Sequence, residues 1–290
     1  MIQIASLFHF AQRVGLERPF LQVWRKNISH KIINGPRHLL YRAWRSVNAT
    51  NLEREEEVRN VINNLNRFGY AKTHVDKLRD MPTVNDLQDE YNKLLEREEA
   101  SPHSRKGKQF IRRLVDDDYD FKRNKNSAIS RFVTNRMLSA IAANYFELIP
   151  RRTSLKVWQS HFTGATERTA SQNWHRDYND KIMLRVFLYF DEVTELNGAG
   201  EYVAGSHFKG DAFETLQYRE ETGTYSTESE IRSNFASDRI KIANGDAGTI
   251  VFMDTGGLHR GGFHPQPGDR KVALLTFSTA ADLQPSRMNN

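Results

Sequence analysis

The amino-acid sequence predicts an α+β protein whose second half is a β-sandwich or jelly roll. Two observations carry that expectation. Before Pro150 the apolar residues recur at helical spacing, and after it they alternate with period two. The later segments are also short, and glycine-bearing turns divide them: "NGAGEY", "NGDAG" and "DTGGLHRGG". No internal repeat or low-complexity tract interrupts either half.

The elements follow in order. Thr50 to Glu53 ("TNLE") reads as a capping box. It precedes Val58, Val61, Ile62, Leu65 and Phe68 at helical spacing, with Gly69 as the stop. A second helix is expected from Thr83, burying Leu87, Tyr91, Leu94 and Leu95. A third covers Ile129 to Tyr145 and ends at Pro150. Between these two, residues 96–126 are highly charged, contain "SPHSRKGK" and read as a mobile loop. Beyond Pro150, "SLKVWQSHF" alternates. "KIMLRVFLYFD" puts Ile182, Leu184, Val186, Leu188 and Phe190 on one face, with Met183, Arg185, Phe187 and Tyr189 on the other. "GTIVFMD" and "RKVALLTFST" are two further strands. The expected organisation is a basic helical extension over residues 1–48 and a main domain over 49–290. That domain comprises a helical layer, 50–150, and a β core, 151–280.

Composition narrows the chemistry. Apolar residues make up 38% and charged residues 27%, as in a soluble globular protein. No apolar run approaches the roughly 20 residues of a membrane span. The opening "MIQIASLFHFAQRVGL" has neither a positive start nor a cleavage motif, so no secretory signal is expected. The absence of cysteine excludes disulfides, thiolate metal sites and cysteine nucleophiles, and fits a cytoplasmic location. Any metal must therefore be held by His, Asp or Glu.

The net charge of +6 is uneven: the first 48 residues carry +7, eight Lys and Arg against Glu17 alone, and the rest −1. Ile4, Leu7, Phe8 and Ala11 fall on one helical face there, and Trp24, Ile28, Leu39, Leu40, Tyr41 and Trp44 mix with the positive charge. One reading is a peripheral contact with an anionic membrane surface or an acidic partner. The other is a helical cover packed on the main domain with solvated basic side chains. A nucleic-acid partner is not expected. The body of the protein is near neutral and lacks the aromatic and basic interleaving that stacks bases.

The chemistry centres on "QNWHRDYND", residues 172–180. In an extended segment His175 and Asp177 project to the same side and can reach one point. The third ligand must come from His207, His259 or His264. His259 follows an apolar strand beside glycines that let the backbone approach closely. His264 also follows it, but leaves only six residues before Arg270. His207, in "AGSHF", reads as a turn residue bonded to the backbone. Two imidazoles and one carboxylate leave open metal positions for substrate and oxygen chemistry at iron, although zinc accepts the same donors. If 2-oxoglutarate is the co-substrate, its far carboxylate needs a cation. Arg270, heading an antiparallel return strand, can supply a planar two-pronged clamp.

These motifs resemble the phytanoyl-CoA dioxygenase family of Fe(II)/2-oxoglutarate-dependent oxygenases, over about Val157 to Phe277. "WHRD" is similar to the family's first metal motif. "RVFLYFDEVTELNGAGEYVAGSH" is similar to the strand and glycine turn that follow it, and "GTIVFMDTGGLHRGG…DR" to the second metal motif. The resemblance implies a double-stranded β-helix (jelly-roll, cupin-like) core with helices packed on one side. It implies His175, Asp177 and His259 as iron ligands and Arg270 as the 2-oxoglutarate anchor. It also implies Gln159 as a polar contact to the co-substrate, with O2 as second co-substrate. Because Asp177 is present, hydroxylation is expected over halogenation, which in relatives goes with a small residue at that position.

The expected activity is therefore hydroxylation of an unactivated C–H bond in a small or lipid-linked substrate, releasing succinate and CO2. The alternative is a cupin-like metal-binding protein without turnover, used for sensing or scaffolding. Several residues carry two readings. Arg176 and Arg185 bind an anionic substrate group, or are respectively a solvated charge and the partner of a core carboxylate. Asn197 and Tyr202 on the glycine turn are substrate-side candidates. His161 and Trp174 read as packing. Residues 101–108 and 209–234 are candidate lids.

Overall fold

The computed structural model describes residues 28–52, 55–100, 110–116, 119, 124–217 and 223–282. The first helix, α1 (Ile28–Leu52), lies against the body of the protein. Asn34 Nδ2 donates to Thr279 Oγ1 at 3.1 Å, Tyr41 OH to Asn144 Oδ1 at 2.9 Å, and Arg37 Nη1 to the Ile149 carbonyl at 2.6 Å. The described part of the basic extension is thus a cover, and the expected boundary at residue 48 falls inside a continuous helix. Residues 1–27 lie outside the described residues. So does the expected lid at 101–108.

Thr50 accordingly sits in the last turn of α1 and starts nothing. A T-x-x-E pattern does not reveal whether the preceding backbone is already helical. The next helix, α2 (Glu56–Phe68), begins after Glu55, which is extended and makes no side-chain cap bond. Its end is as expected: Gly69 takes φ +70° and its N–H returns to the Leu65 carbonyl at 2.8 Å. A short strand, β1 (Tyr70–His74), follows. Helix α3 (Val84–Ala100) starts from Thr83, whose Oγ1 accepts from the Asp86 N–H.

Two expectations fail in the next stretch. The charged segment taken for a loop contains strand β2 (Ile111–Val115), whose arginines hide the alternation. The single third helix is two, α4 (Ala128–Val133) and α5 (Arg136–Phe146). They part where Asn135 turns its Oδ1 onto the Met137 N–H, 2.7 Å away, and caps the new helix.

After Pro150 come β3 (Arg151–His161), β4 (Trp174–His175), β5 (Leu184–Tyr189) and β6 (Gly200–Val203). Then follow β7 (Tyr225–Ser226), α6 (Glu228–Asn234), β8 (Ile240–Ala243), β9 (Thr249–Asp254), β10 (His259–Arg260) and β11 (Asp269–Ser278). They form a six-stranded sheet, β1-β9-β5-β11-β3-β2, and a five-stranded sheet, β7-β4-β10-β6-β8, with antiparallel pairing throughout. This is the expected jelly roll.

The alternation read from β5 holds on both faces. Ile182, Leu184, Val186, Leu188 and Phe190 join the helices in the main core, with Val61, Leu65, Phe132 and Ile141. Met183, Arg185, Phe187 and Tyr189 point between the sheets. Helix and sheet are also tied by a polar bond in the core. Tyr145 OH donates to Asp254 Oδ2 at 2.6 Å, and Asp254 Oδ1 accepts from the Gly256 N–H at 3.0 Å. Burial pushes the Asp254 carboxyl up. Tyr145→Phe leaves that carboxyl short of a donor, so urea unfolding should show a loss of about 1–3 kcal/mol. A loss below about 0.5 kcal/mol, the usual size of a surface change, would mean the bond contributes nothing.

Candidate metal centre

Strands β4 and β10 pair antiparallel with His175 directly opposite His259. Cross-strand partners on one face approach closely, and the two imidazole centroids are 4.3 Å apart. Two residues after His175 the chain is held by the Asp177 N–H donating to the Thr255 carbonyl at 2.8 Å. That bond swings the Asp177 carboxylate to the imidazoles: Oδ1 lies 3.9 Å from His175 Nε2, and Oδ2 3.7 Å from His259 Nε2. One donor atom from each residue lies within 4.8 Å of the others, a group that could hold a single metal ion.

The imidazole tautomers are set by the backbone. His175 Nδ1 meets the Asn173 carbonyl at 2.8 Å, and His259 Nδ1 the Gly257 carbonyl at 3.0 Å. Each Nδ1 carries the proton, which leaves Nε2 as a lone pair facing the trio. His259 Nε2 is buried with no hydrogen-bond partner. A buried orphaned lone pair is costly in a protein without a ligand and is what a metal donor needs. Burial, followed by the neighbouring His175, pulls the His259 pKa down to about 3, so the ring is neutral at ordinary pH. For Asp177, burial acts upward, but Arg185 first and then the imidazoles outweigh it and hold the carboxylate below its usual range. Gly257 is required here: a Cβ at that position would lie 2.2 Å from the Tyr202 hydroxyl.

The trio opens onto a cavity of about 390 Å³ between the sheets. Arg270 lines it together with His175, Asp177 and His259. Its Nη1 donates to the Gly198 carbonyl, while Nε is enclosed without a protein partner. Gln159 is not brought in. In β3 it alternates with Trp158 and Ser160 and falls on the other face, where its Nε2 donates to Asp269 Oδ2 at 2.6 Å. The co-substrate contact that the resemblance implies at Gln159 therefore faces away from the cavity, whereas its neighbour Trp158 lines it.

The remaining candidates separate cleanly. Arg185 lines the cavity and pairs with Asp177 Oδ2 at 2.7 Å, so its carboxylate partner is the trio's own. His207 Nε2 meets the Asn66 carbonyl at 3.2 Å, as a turn residue. His264 is buried away from the trio, with Nε2 3.1 Å from Ser160 Oγ. Tyr202 donates to the Asp254 carbonyl at 3.0 Å and Asn197 Oδ1 accepts from the Thr194 N–H at 2.6 Å; both serve the turn itself. Trp174 packs under Arg260 and donates to Glu228 Oε2 at 2.9 Å.

Arg176 corrects the reading of a solvated charge. It is fully buried, and its five N–H groups meet five carbonyls: Ser206 (2.6 Å), Gly256 (2.9 Å), Phe213 (3.2 Å), Thr215 (2.8 Å) and Leu216 (3.3 Å). It points away from the trio, as its place between the two ligands requires, and straps residues 206–216 to the strand that carries them. Part of the expected lid at 209–234 is therefore anchored.

A jelly roll with two histidines and one carboxylate converging at a cavity between its sheets defines a cupin-type architecture able to bind one metal. The family model described as Phytanoyl-CoA dioxygenase (PhyH) matches residues 47–272, and the chain belongs to that family. Solved structures agree on the fold. The epimerase SnoN from nogalamycin biosynthesis, described as non-heme and alpha ketoglutarate dependent, superposes with TM-score 0.54 at 16% identity, over 77% of this chain and 81% of its own. HygX from Streptomyces hygroscopicus, with nickel and 2-oxoglutarate bound, gives 0.51 at 13%, over 76% and 86%. EctD from S. alaskensis, with bound Fe, gives 0.51 at 16%, over 79% of each. The comparison with curated protein sequences gave no match. No helix among the described residues is long and apolar enough to cross a membrane.

Replacing Arg176 tests the strap. Arg176→Met strands five carbonyls and should cost about 3 kcal/mol or more in thermal or urea unfolding. A solvated arginine would change stability by less than about 0.5 kcal/mol.

Proposed function

We propose that this protein is a non-haem Fe(II)/2-oxoglutarate-dependent oxygenase that hydroxylates an unactivated C–H bond of a small substrate. The observation that carries the reading is the convergence of His175, Asp177 and His259 in one cavity with Arg270. In this reading the three side chains are the iron ligands, and Arg270 is the cation for the far carboxylate of 2-oxoglutarate. Bound together, iron and 2-oxoglutarate supply a two-electron oxidation by O2, with succinate and CO2 released.

The chain's own residues supply placement and a dry wall. The backbone carbonyls of Asn173 and Gly257 hold the imidazoles in the tautomer that coordinates. Arg185 holds Asp177 ionised and turned toward them. Met183, Phe187, Met253 and Leu274 line the cavity and exclude water from it. The presence of Asp177 supports hydroxylation, because the carboxylate fills the position that a halide would take. SnoN is described as an epimerase, so the choice of hydroxylation rests on the carboxylate and not on the fold.

Two measurements test the reading. Without oxygen, Fe(II) and 2-oxoglutarate should give a visible charge-transfer band that His175→Ala and His259→Ala abolish. Arg270→Met should keep metal binding but weaken 2-oxoglutarate on the order of 30-fold or more, from the about 2 kcal/mol or more lost when a buried charge pair is truncated. With oxygen and substrate, succinate should accumulate with a product carrying one added oxygen atom. Metal binding with no succinate from any substrate would favour the sensor or scaffold alternative.

A further inference from the structure

The cavity wall holds five cations, and four are engaged. Arg185 pairs with Asp177. Arg260 pairs with Glu201 at 2.7 Å and Glu228 at 2.6 Å. Arg113 pairs with Asp116 at 2.8 Å, and Arg270 is the co-substrate cation of the reading above. Lys156 is the fifth. It is half-buried and lines the same cavity, yet makes no hydrogen bond or ion pair among the described residues. A partly enclosed ammonium that forms no ion pair, inside the cavity that holds the candidate metal ligands, is placed to receive an anion from outside the protein.

Register fixes where that anion sits. In the six-stranded sheet Lys156 on β3 is opposite Leu274 on β11, which is opposite Phe187 on β5. Arg185, the residue touching Asp177, is two residues from Phe187 along β5 and faces the same way. Two strand spacings and one side-chain repeat put the Cα atoms of Lys156 and Arg185 about 12 Å apart. An anion at Lys156 therefore lies on the order of 10 Å from the metal-ligand trio. Leu274 and Phe187 give the floor between them an apolar row beside Lys156, and Thr276 and Ser154 make up the row of Arg185.

We infer that Lys156 is the counter-charge for the substrate, a small amphipathic monoacid. Its carboxylate or phosphate monoester sits on Lys156, and its apolar stem lies along the inner sheet toward the metal centre. This rests on the oxygenase reading and adds a substrate class to it. Lys156 acts by binding and orienting, since it touches the end of the substrate remote from the reacting carbon.

The test uses the full chain loaded with Fe(II) and 2-oxoglutarate without oxygen. Hexanoate, hexyl phosphate and neutral hexanamide are titrated, and binding is read by calorimetry and by the shift of the charge-transfer band. At least one anion should bind about tenfold more tightly than the amide, and which anion it is separates a carboxylate from a phosphate site. In Lys156→Met that preference should fall to within about twofold, with amide and 2-oxoglutarate affinities unchanged, while Lys156→Arg retains it. Equal or unmeasurable binding of anions and amide by the wild type overturns the inference. So does a tenfold loss of 2-oxoglutarate affinity in Lys156→Met, which would make Lys156 a co-substrate anchor. A wild type that gives no charge-transfer band counts against the oxygenase reading itself. Calorimetry on that protein still reports the Lys156-dependent preference, so the two failures are distinct.

Discussion

Everything at the centre depends on one short pairing, β4 against β10. Each strand is two residues long, and the pairing sets two imidazoles face to face. So short a ladder is weak alone, and the surroundings brace it. Arg176 ties the β4 side to the carbonyls of residues 206–216 and to Gly256 in the turn before β10. Arg260, next to His259, bridges Glu201 on β6 and Glu228 on α6 while lying over Trp174, next to His175. Each ligand histidine is thus flanked by a side chain locked in place, and the tautomers come from carbonyls two residues upstream. Geometry held by backbone and neighbours does not depend on the metal to form.

The second constraint is the strict alternation of the large sheet. On β3, β5 and β11 one set of side chains meets the helices and the other faces the cavity. The helix-facing set supplies the apolar core through Leu155, Val157, Val186, Leu188, Ala273 and Leu275, whereas the cavity set mixes Arg185, Lys156 and Arg270 with Phe187, Trp158 and Leu274. A basic side chain on an inner face is unfavourable without a counter-charge, so such positions mark where a ligand belongs.

That same alternation explains what the sequence could and could not reveal. His175, Asp177, His259 and Arg270 were legible because their relations are short-range: two residues apart, or just after an apolar strand, or at the head of the next one. The two faces of β5 were legible for the same reason. Gln159 came from the resemblance alone, which does not fix the strand phase; pairing with β11 sets that phase and turns Gln159 away from the cavity. Arg176 could be read as pointing away from the metal, but the carbonyls that bury it come from residues 30 to 80 positions distant. The helix break at Asn135 and the strand at Ile111–Val115 depend on a local cap and on a neighbouring strand. Neither leaves a mark in periodicity. The capping pattern at Thr50 was real as a pattern but sat inside a helix already under way.

Charge balance gives the cavity its character. Asp177 is already matched by Arg185, so the trio presents a neutral His259 imidazole and a neutralised carboxylate beside His175. A divalent ion there would leave the centre positive, and neither Arg270 nor Lys156 forms an ion pair among the described residues. A dianionic co-substrate held there would match Arg270 with its far carboxylate and leave Lys156 without an ion pair. The buried guanidinium retains carbonyl contact through Gly198, whereas Lys156 retains none. The cation without an ion pair, Lys156, lies on β3 beside Leu274 and Phe187, one row from Arg185. A cavity with that distribution discriminates among substrates by the charge at their far end more than by the bond that reacts.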